Sequence, residues 1–162
     1  VLFRSNYVRC RNCHTIYVNP RPSKDVLKWF YRNSKNYEFW NNVIFPASEE
    51  SRHKNIIAPR VNKTIEICNK YKTKTDSLLE VGAGFGTYCA EIQSRDIFRK
   101  VVAIEPTPNL AATCRKRNIE TIECPIEEVQ LSPNSKFDVI VNFEVIEHIF
   151  HRKNFSSTHI AC

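Results

Sequence analysis

The pattern of apolar and polar positions changes near residue 76 of the chain. Beyond it, short apolar runs alternate with amphipathic stretches, which predict helices around Tyr88–Arg95 and Asn109–Lys116. Short apolar strands that alternate with helices indicate βαβ units and a parallel sheet. The predicted strands are Leu78–Val81, Val101–Glu105, Ile119–Cys124 and Phe137–Phe143. We therefore expect an α/β fold with a Rossmann-like, doubly wound parallel sheet and right-handed crossovers.

Before residue 76 the apolar positions have a helical spacing. Ser23 is a suitable N-cap for a first helix, and Pro59 suits the first turn of a later one. The apolar faces of these helices are Val26, Leu27 and Phe30, and then Val61, Ile65, Cys68 and Tyr71. We predict three parts: a knuckle-like, cysteine-containing segment at 1–22, a helical cap at 23–75, and a ligand-binding α/β domain at 76–162.

Composition and charge limit the class of protein. The 162 residues are 42% apolar and 25% charged, as in ordinary globular domains, and no apolar run approaches the roughly 20 residues of a membrane span. The net charge of +7 is uneven: residues 1–76 hold 15 Lys+Arg and 6 Asp+Glu, whereas residues 77–162 hold 9 and 11. A basic part can attract phosphorylated substrates or nucleic acid, although a solvated face is the favoured interpretation.

The seven cysteines are an odd number and lack the spacing of a disulfide framework, which favours a reducing, cytoplasmic location. Cys10 and Cys13 alone form a C-x2-C pair. A tetrahedral zinc site needs four ligands, so this pair is half of one, with His14 as a weaker third candidate. The chain has no methionine at its start or elsewhere, and we expect it to be a fragment of a longer protein.

Three glycines, the entire supply of the chain, lie between the first predicted strand and the next helix, as Gly82, Gly84 and Gly86. A strand, a glycine turn and a helix together direct backbone N–H groups at a ligand. A phosphate-binding P-loop would need Lys-Ser/Thr where Thr87 follows, and the dinucleotide fingerprint would need G-x-G-x-x-G. The G-x-G-x-G spacing suits a ligand without a pyrophosphate.

Acidic residues follow two further strands. Glu105 ends the second predicted strand, where a carboxylate can accept both hydroxyls of a ribose. After the fourth strand, Glu144, Glu147 and His148 would share one helix face at positions i, i+3 and i+4. Such a face could bind a divalent cation or supply a general base, and its plainer interpretation is cavity lining and helix capping.

The stretches Leu79–Thr87, Val102–Pro106 and Phe137–Ile149 resemble, in order and spacing, three successive motifs of the class I S-adenosylmethionine-dependent methyltransferases. The resemblance implies that the cofactor S-adenosyl-L-methionine binds along this edge of the sheet. It assigns the methionine part to Glu80 and to the loop of Gly82, Ala83, Gly84 and Gly86. It assigns the ribose to Glu105 beside Pro106, and the border of the adenine to Cys124, Pro125 and Ile126. Asn142 and Phe143 would line the cofactor further. The candidate catalytic bases are His148 and Glu144.

The N-terminal segment resembles a subgroup of this family, in which a C-x2-C pair precedes the sequence Tyr-x-Asn-Pro-Arg-Pro, here Tyr17–Pro22. Relatives of this kind occur in bacterial surface-glycan or modified-sugar pathways. A second cysteine pair would lie upstream of Val1 and complete a zinc site with Cys10 and Cys13.

The resemblance leads to a functional hypothesis, namely methyl transfer from S-adenosylmethionine to a small molecule such as a sugar-linked acceptor. The alternatives are a nucleic-acid methyltransferase or RNA-binding module, and a non-catalytic remnant that binds the cofactor or nothing; a nicotinamide oxidoreductase ranks below them. The full fold of the family has seven strands, of which the sequence supplies four. We therefore expect Phe137–Phe143 to be an unprotected edge, and the chain to be marginally stable and weakly active.

Overall fold

A computed structural model of the chain describes residues 6–130 and 136–149, which begin with a short antiparallel hairpin. Its strands are β1 (Tyr7–Arg9) and β2 (Ile16–Val18). The turn between them contains Cys10 and Cys13, the two predicted zinc ligands. Two backbone hydrogen bonds close this turn, from Cys10 N–H to Thr15 O (2.9 Å) and from His14 N–H to Cys10 O (3.1 Å). This turn holds the two cysteines at the tip of the hairpin.

The helical region that follows contains one separate helix and one long helical run. The N-cap prediction for α1 (Lys24–Asn33) is confirmed, because Val26 N–H donates to Ser23 Oγ at 3.4 Å. The long run comprises α2 (Lys35–Phe39), α3 (Phe45–Arg52) and α4 (Ala58–Tyr71), joined by π-helical turns at Trp40–Ile44 and His53–Ile57.

Each proline of the long run is the second residue after a π-helical turn. Pro46 and Pro59 lack the N–H group that an α-helix requires, and a widened turn relieves the clash with the preceding carbonyl. The prediction that Pro59 lies in the first turn of a helix is confirmed, since α4 begins at Ala58. The residues on both sides of it are helical, and the chain enters α4 without a break.

The remaining elements form the predicted parallel sheet. Its strands are β3 (Ser77–Val81), β4 (Lys100–Ile104), β5 (Glu120–Ile122) and β6 (Val139–Asn142), in the order β5-β4-β3-β6. Helix α5 (Thr87–Ser94) connects β3 to β4, helix α6 (Pro108–Lys116) connects β4 to β5, and a 3₁₀ turn occupies Ile126–Glu128. All three strand pairs are parallel, so the predicted Rossmann-like α/β fold is confirmed.

Alternation along β3 separates two apolar clusters. Leu78 packs with α4 and α5 on one face, whereas Leu79 and Val81 pack on the other. The first cluster includes Val61, Cys68, Tyr88, Cys89, Ile92 and Cys114; the second includes Val102 and Ile104, with Ile122, Ile126 and Ile140 against them. Tyr71, which the helical spacing assigned to the apolar face of α4, is exposed.

One predicted element is wrong: residues 144–148 do not form a helix. Strand β6 ends at Asn142, and Glu144 takes a left-handed backbone conformation (φ 58°) that redirects the chain. A turn follows, closed by the hydrogen bond from His148 N–H to Val145 O at 2.8 Å. Within the described residues β6 is an edge strand, and residues 150–162 lie outside them. No helix in the described part is long and apolar enough to cross a membrane.

Candidate functional site

A cavity of about 270 Å³ lies at the carboxyl ends of β3 and β4, where parallel sheets of this kind bind ligands. This volume is slightly below the usual range of small-molecule sites. Its wall is formed by the glycine loop, the Glu105–Thr107 turn with the start of α6, the turn at 125–127, segment 143–149 after β6, and helix α1. The cavity therefore lies between the sheet and the N-terminal helical region.

Glu105 is the buried acid of this cavity. Its side chain is 4% exposed, and both carboxylate oxygens accept backbone hydrogen bonds: Oε1 from Thr107 N–H and Oε2 from Gly84 N–H, each at 2.8 Å. Burial raises the pKa of Glu105, while the N–H groups of Thr107 and Gly84 oppose that rise. A carboxylate has about four acceptor positions, so acceptor capacity remains for a hydroxyl donor.

The three glycines share a left-handed backbone, but each is required for a different reason. At Gly82 an added Cβ would lie 2.5 Å from Val145 Cγ2, and at Gly86 it would lie 2.9 Å from Cys114 Sγ. At Gly84 it would meet nothing within 4 Å. Gly84 and Gly82 line the cavity, whereas Gly86 packs against α6. The open space next to Gly84 is thus the part of the loop that is available to a ligand.

Glu80 is equally buried, but it lies on the other side of the loop. It does not line the cavity; its Oε2 accepts a hydrogen bond from the Cys89 thiol at 2.9 Å, within the cluster under α5. Burial raises the pKa of Glu80 to about 8, although the hydrogen bond from Cys89 opposes the rise. The predicted contact of Glu80 with the methionine part of a cofactor stays a prediction.

The other predicted cofactor residues divide into two groups. Pro106, Pro125 and Ile126 line the cavity beside Glu105, where an adenine is expected. Residues away from the wall are Ala83, whose N–H donates to Ile104 O, together with Cys124, Asn142 and Phe143. The Phe143 ring packs against Tyr88 instead, at 5.0 Å between ring centroids.

Both candidate catalytic bases lie at the cavity, although on a turn rather than on a helix. The Glu144 side chain is 76% exposed and forms an ion pair with Arg60 at 2.7 Å, which lowers the pKa of Glu144. His148 also lines the cavity, where its ring meets that of Tyr31 edge-to-face, with 6.5 Å between the ring centroids. The described residues contain no group of three or more potential metal ligands, so the predicted cation site on this face is not supported.

Helix α1 contributes to the cavity, which the sequence patterns did not predict. Its inner face lines the cavity with Lys24, Leu27, Lys28, Tyr31 and Arg32. Tyr31 is half-buried, and burial, followed by the nearby charge of Glu105, raises its pKa. The spacing of Leu27 and Tyr31, four residues apart, was the available signal, but nothing in the sequence indicated which surface this face would cover.

The zinc prediction for Cys10 and Cys13 also lacks support. The described part of the chain offers them no third ligand in a metal-binding group. A hydrogen bond from the Thr15 hydroxyl lowers the pKa of the exposed Cys13 thiol to about 7. The hairpin tip is therefore an accessible thiol pair, and the zinc assignment stays a prediction.

The residues at the cavity fit an adenosyl group. Glu105 supplies acceptors for a diol, Gly84 leaves open space at the backbone, and Leu110, Pro125 and Ile126 supply apolar walls. This combination suits a nucleoside, because a buried carboxylate that can accept ribose hydroxyls lies beside the loop.

Comparisons with known proteins agree with this class of site. Residues 79–158 match the family model described as a methyltransferase domain. A probable S-adenosylmethionine-dependent methyltransferase of Mycobacterium tuberculosis, found in two strains, is 34% identical to this chain over 80 residues. The alignment covers 48% of the chain and 28% of that relative, so the chain spans less than a third of the curated relatives it matches.

Solved structures show the same fold. The plantazolicin methyltransferase BpumL has a TM-score of 0.56 at 13% identity, with 83% of this chain and 54% of that chain covered. An amino pentose methyltransferase from Micromonospora echinaspora has a TM-score of 0.50 at 21% identity, with 69% and 44% covered. Residues 79–158 are thus similar in sequence to methyltransferase domains, and the fold of the chain is that of solved methyltransferases.

Proposed function

We propose that the cavity binds S-adenosylmethionine and that the protein transfers its methyl group to a small molecule. The observation that carries the proposal is Glu105, a buried carboxylate held by two backbone N–H groups beside the open space at Gly84. When bound, the cofactor supplies an electrophilic methyl group on a sulfonium. Glu105 would accept the ribose hydroxyls, and Gly84 would admit the ligand next to the backbone.

The main contribution of the protein to such a reaction is positioning, with a base for oxygen or nitrogen acceptors. Of the two candidate bases, His148 is favoured. Arg60 lowers the pKa of Glu144, which makes that carboxylate a weaker proton acceptor, whereas imidazole is the general base used most often. His148 also lines the cavity, next to Tyr31, where an acceptor bound in the cavity could reach it.

A small acceptor is favoured over nucleic acid because α1 covers the cavity and its charges are partly neutralised. Lys24 and Lys28 both form ion pairs with Glu128, at 3.4 and 2.9 Å. A sugar-linked molecule is the acceptor class that the resemblance of the N-terminal segment predicts.

Calorimetry with S-adenosylhomocysteine tests the cofactor assignment. We expect Glu105→Ala to weaken binding at least about 100-fold, because two hydrogen bonds to a charged acceptor are lost, each contributing roughly 1.5–3 kcal/mol. Glu120→Ala is the control: it removes an exposed strand carboxylate that pairs with Lys100, and binding should not change. Equal affinity in wild type and Glu105→Ala would refute the ribose assignment, and no binding by either would refute the cofactor.

A further inference from the structure

Segment 143–149 forms one wall of the cavity, although its backbone is a turn rather than a helix or strand. The turn is closed by the hydrogen bond from His148 N–H to Val145 O. Val145 packs so closely on the glycine loop that no Cβ could be added at Gly82 without moving it. The position of this segment therefore sets the width of the cavity beside the loop.

Arg21 reaches the segment from the N-terminal part of the chain. Its guanidinium donates to three consecutive carbonyl oxygens, those of Glu147 (3.2 Å), His148 (3.0 Å) and Ile149 (3.5 Å). A guanidinium presents five N–H donors in a rigid fork, which suits several carbonyls that converge at the end of a turn. A lysine ammonium is a point donor and would not hold all three in the same geometry.

Arg60, on α4, holds the start of the same segment. Its Nη2 donates to Glu144 Oε1 at 2.7 Å, and its guanidinium carbon lies 4.6 Å from the centroid of the Phe143 ring. Glu144 has the left-handed backbone that residues other than glycine seldom adopt. The ion pair and the ring contact together fix the bend where the chain leaves β6.

We propose that Arg21 and Arg60 are positioning residues that hold segment 143–149 against the glycine loop, in the shape that cofactor binding requires. The proposal rests on the proposed function, because it concerns the same cavity. Neither arginine lines that cavity, so each acts through the segment. Both arginines belong to the first 75 residues of the sequence, so this N-terminal part of the chain helps to complete the site.

The test compares the Arg21→Ala, Arg21→Lys and Arg60→Gln variants with wild type and with the control Arg117→Gln. Arg117 matches Arg60 closely: their side chains are 30% and 31% exposed, and Arg117 pairs at 2.6 Å with Glu49, which is on α3. Two quantities are measured in each protein: the Kd for S-adenosylhomocysteine by calorimetry, and hydrogen exchange of the backbone amides of 143–149 relative to those of β3.

We expect the Arg21 and Arg60 variants to bind about tenfold more weakly and to exchange about tenfold faster in segment 143–149. Arg21→Lys should not restore either quantity, and it keeps the test available if Arg21→Ala does not fold. The control should match wild type in both.

Unchanged binding and unchanged exchange in the Arg21 and Arg60 variants would overturn the proposal. Equal changes in Arg117→Gln would also overturn it, because the effect would then be general destabilisation. If wild type does not bind S-adenosylhomocysteine, the proposed function fails, while exchange in the arginine variants still decides whether these residues hold the segment.

Discussion

Glu80 and Glu105 are carboxylates at the ends of neighbouring parallel strands, and each is 4% exposed, but their surroundings differ. Glu105 lines the cavity and accepts two backbone N–H groups, from Gly84 and Thr107. Glu80 points into the apolar cluster under α5 and accepts a hydrogen bond from the thiol of Cys89. The register pairs Glu80 with Ala103, inside the sheet and next to α5, whereas Glu105 follows the last residue of β4 and lies beyond the end of that strand, where the cavity opens.

The difference shows that burial alone does not make a buried acid a ligand-binding group. Burial raises the pKa of both carboxyls, and that of Glu80 reaches about 8. The two backbone N–H groups stabilise the ionised form of Glu105, which is the form that accepts hydroxyl hydrogen bonds. A thiol is a weak donor, so the ionised form of Glu80 is costly. We therefore expect Glu105 to govern ligand affinity and Glu80 to govern the pH dependence of stability.

The largest expected effect is the pH dependence that Glu80 causes. Its pKa of about 8 in the folded state exceeds the ordinary value of 4.5, so the folded state binds more protons between these values. Stability is therefore highest below the ordinary pKa and falls as pH rises toward 8. From pH 5 to pH 8 the expected loss is on the order of 4 kcal/mol, since one pKa unit corresponds to about 1.4 kcal/mol.

Denaturant unfolding at pH 5, 6, 7 and 8 measures this effect. Glu80→Gln cannot ionise, so its free energy of unfolding should vary much less across the range than that of wild type. The charged neighbours that also act on Glu80 are Arg60, which lowers its pKa, and Glu105, which raises it. Parallel pH profiles for wild type and Glu80→Gln would show that Glu80 is not the source.

A smaller effect on stability is expected from alanine substitutions on the two sides of the glycine loop, at Gly86 and at Gly84. Gly86→Ala should lower the free energy of unfolding by about 2–4 kcal/mol, because the added Cβ would meet Cys114 Sγ and Cα at 2.9 and 3.3 Å in a left-handed conformation. Gly84→Ala carries only the conformational cost of roughly 1–2 kcal/mol, because nothing lies within 4 Å. Thermal or denaturant unfolding of both variants measures the difference.

For ligand binding we expect the opposite order. Gly84→Ala should weaken binding of S-adenosylhomocysteine more than Gly86→Ala does, because the Cβ of Gly84→Ala would enter space open to the ligand. Equal losses of stability in the two variants, or stronger binding of S-adenosylhomocysteine by Gly84→Ala than by Gly86→Ala, would contradict the assignment of Gly84 to the ligand side.

The sheet was predictable because its signals are local. Each strand is a short apolar run, and the observed strands differ from the predicted ones only at their ends, as for Ile119–Cys124 against Glu120–Ile122. The N-cap at Ser23 and the alternation of strands with helices depend on neighbouring residues alone. The position of Glu105 relative to the glycine loop followed from the same parallel order.

The features of the cavity that could not be predicted depend on contacts between distant parts of the sequence. A helix at 144–148 fits the local pattern, but Arg21 and Arg60 bind this segment in another conformation from more than 80 residues away. The covering of the cavity by α1 likewise depends on which surface the helix meets. The separation of Glu80 from the cavity depends on the face of β3 that packs against α5, which the apolar pattern alone did not reveal.

The central claim, that Glu105 binds the ribose of the cofactor, is tested most directly by calorimetry with two ligands. S-adenosylhomocysteine and its 2′,3′-dideoxy analogue are measured against wild type, Glu105→Gln and Glu80→Gln. We expect loss of the hydroxyls to weaken binding about 100-fold in wild type and in Glu80→Gln, but only slightly in Glu105→Gln. The same loss in wild type and Glu105→Gln would contradict the account.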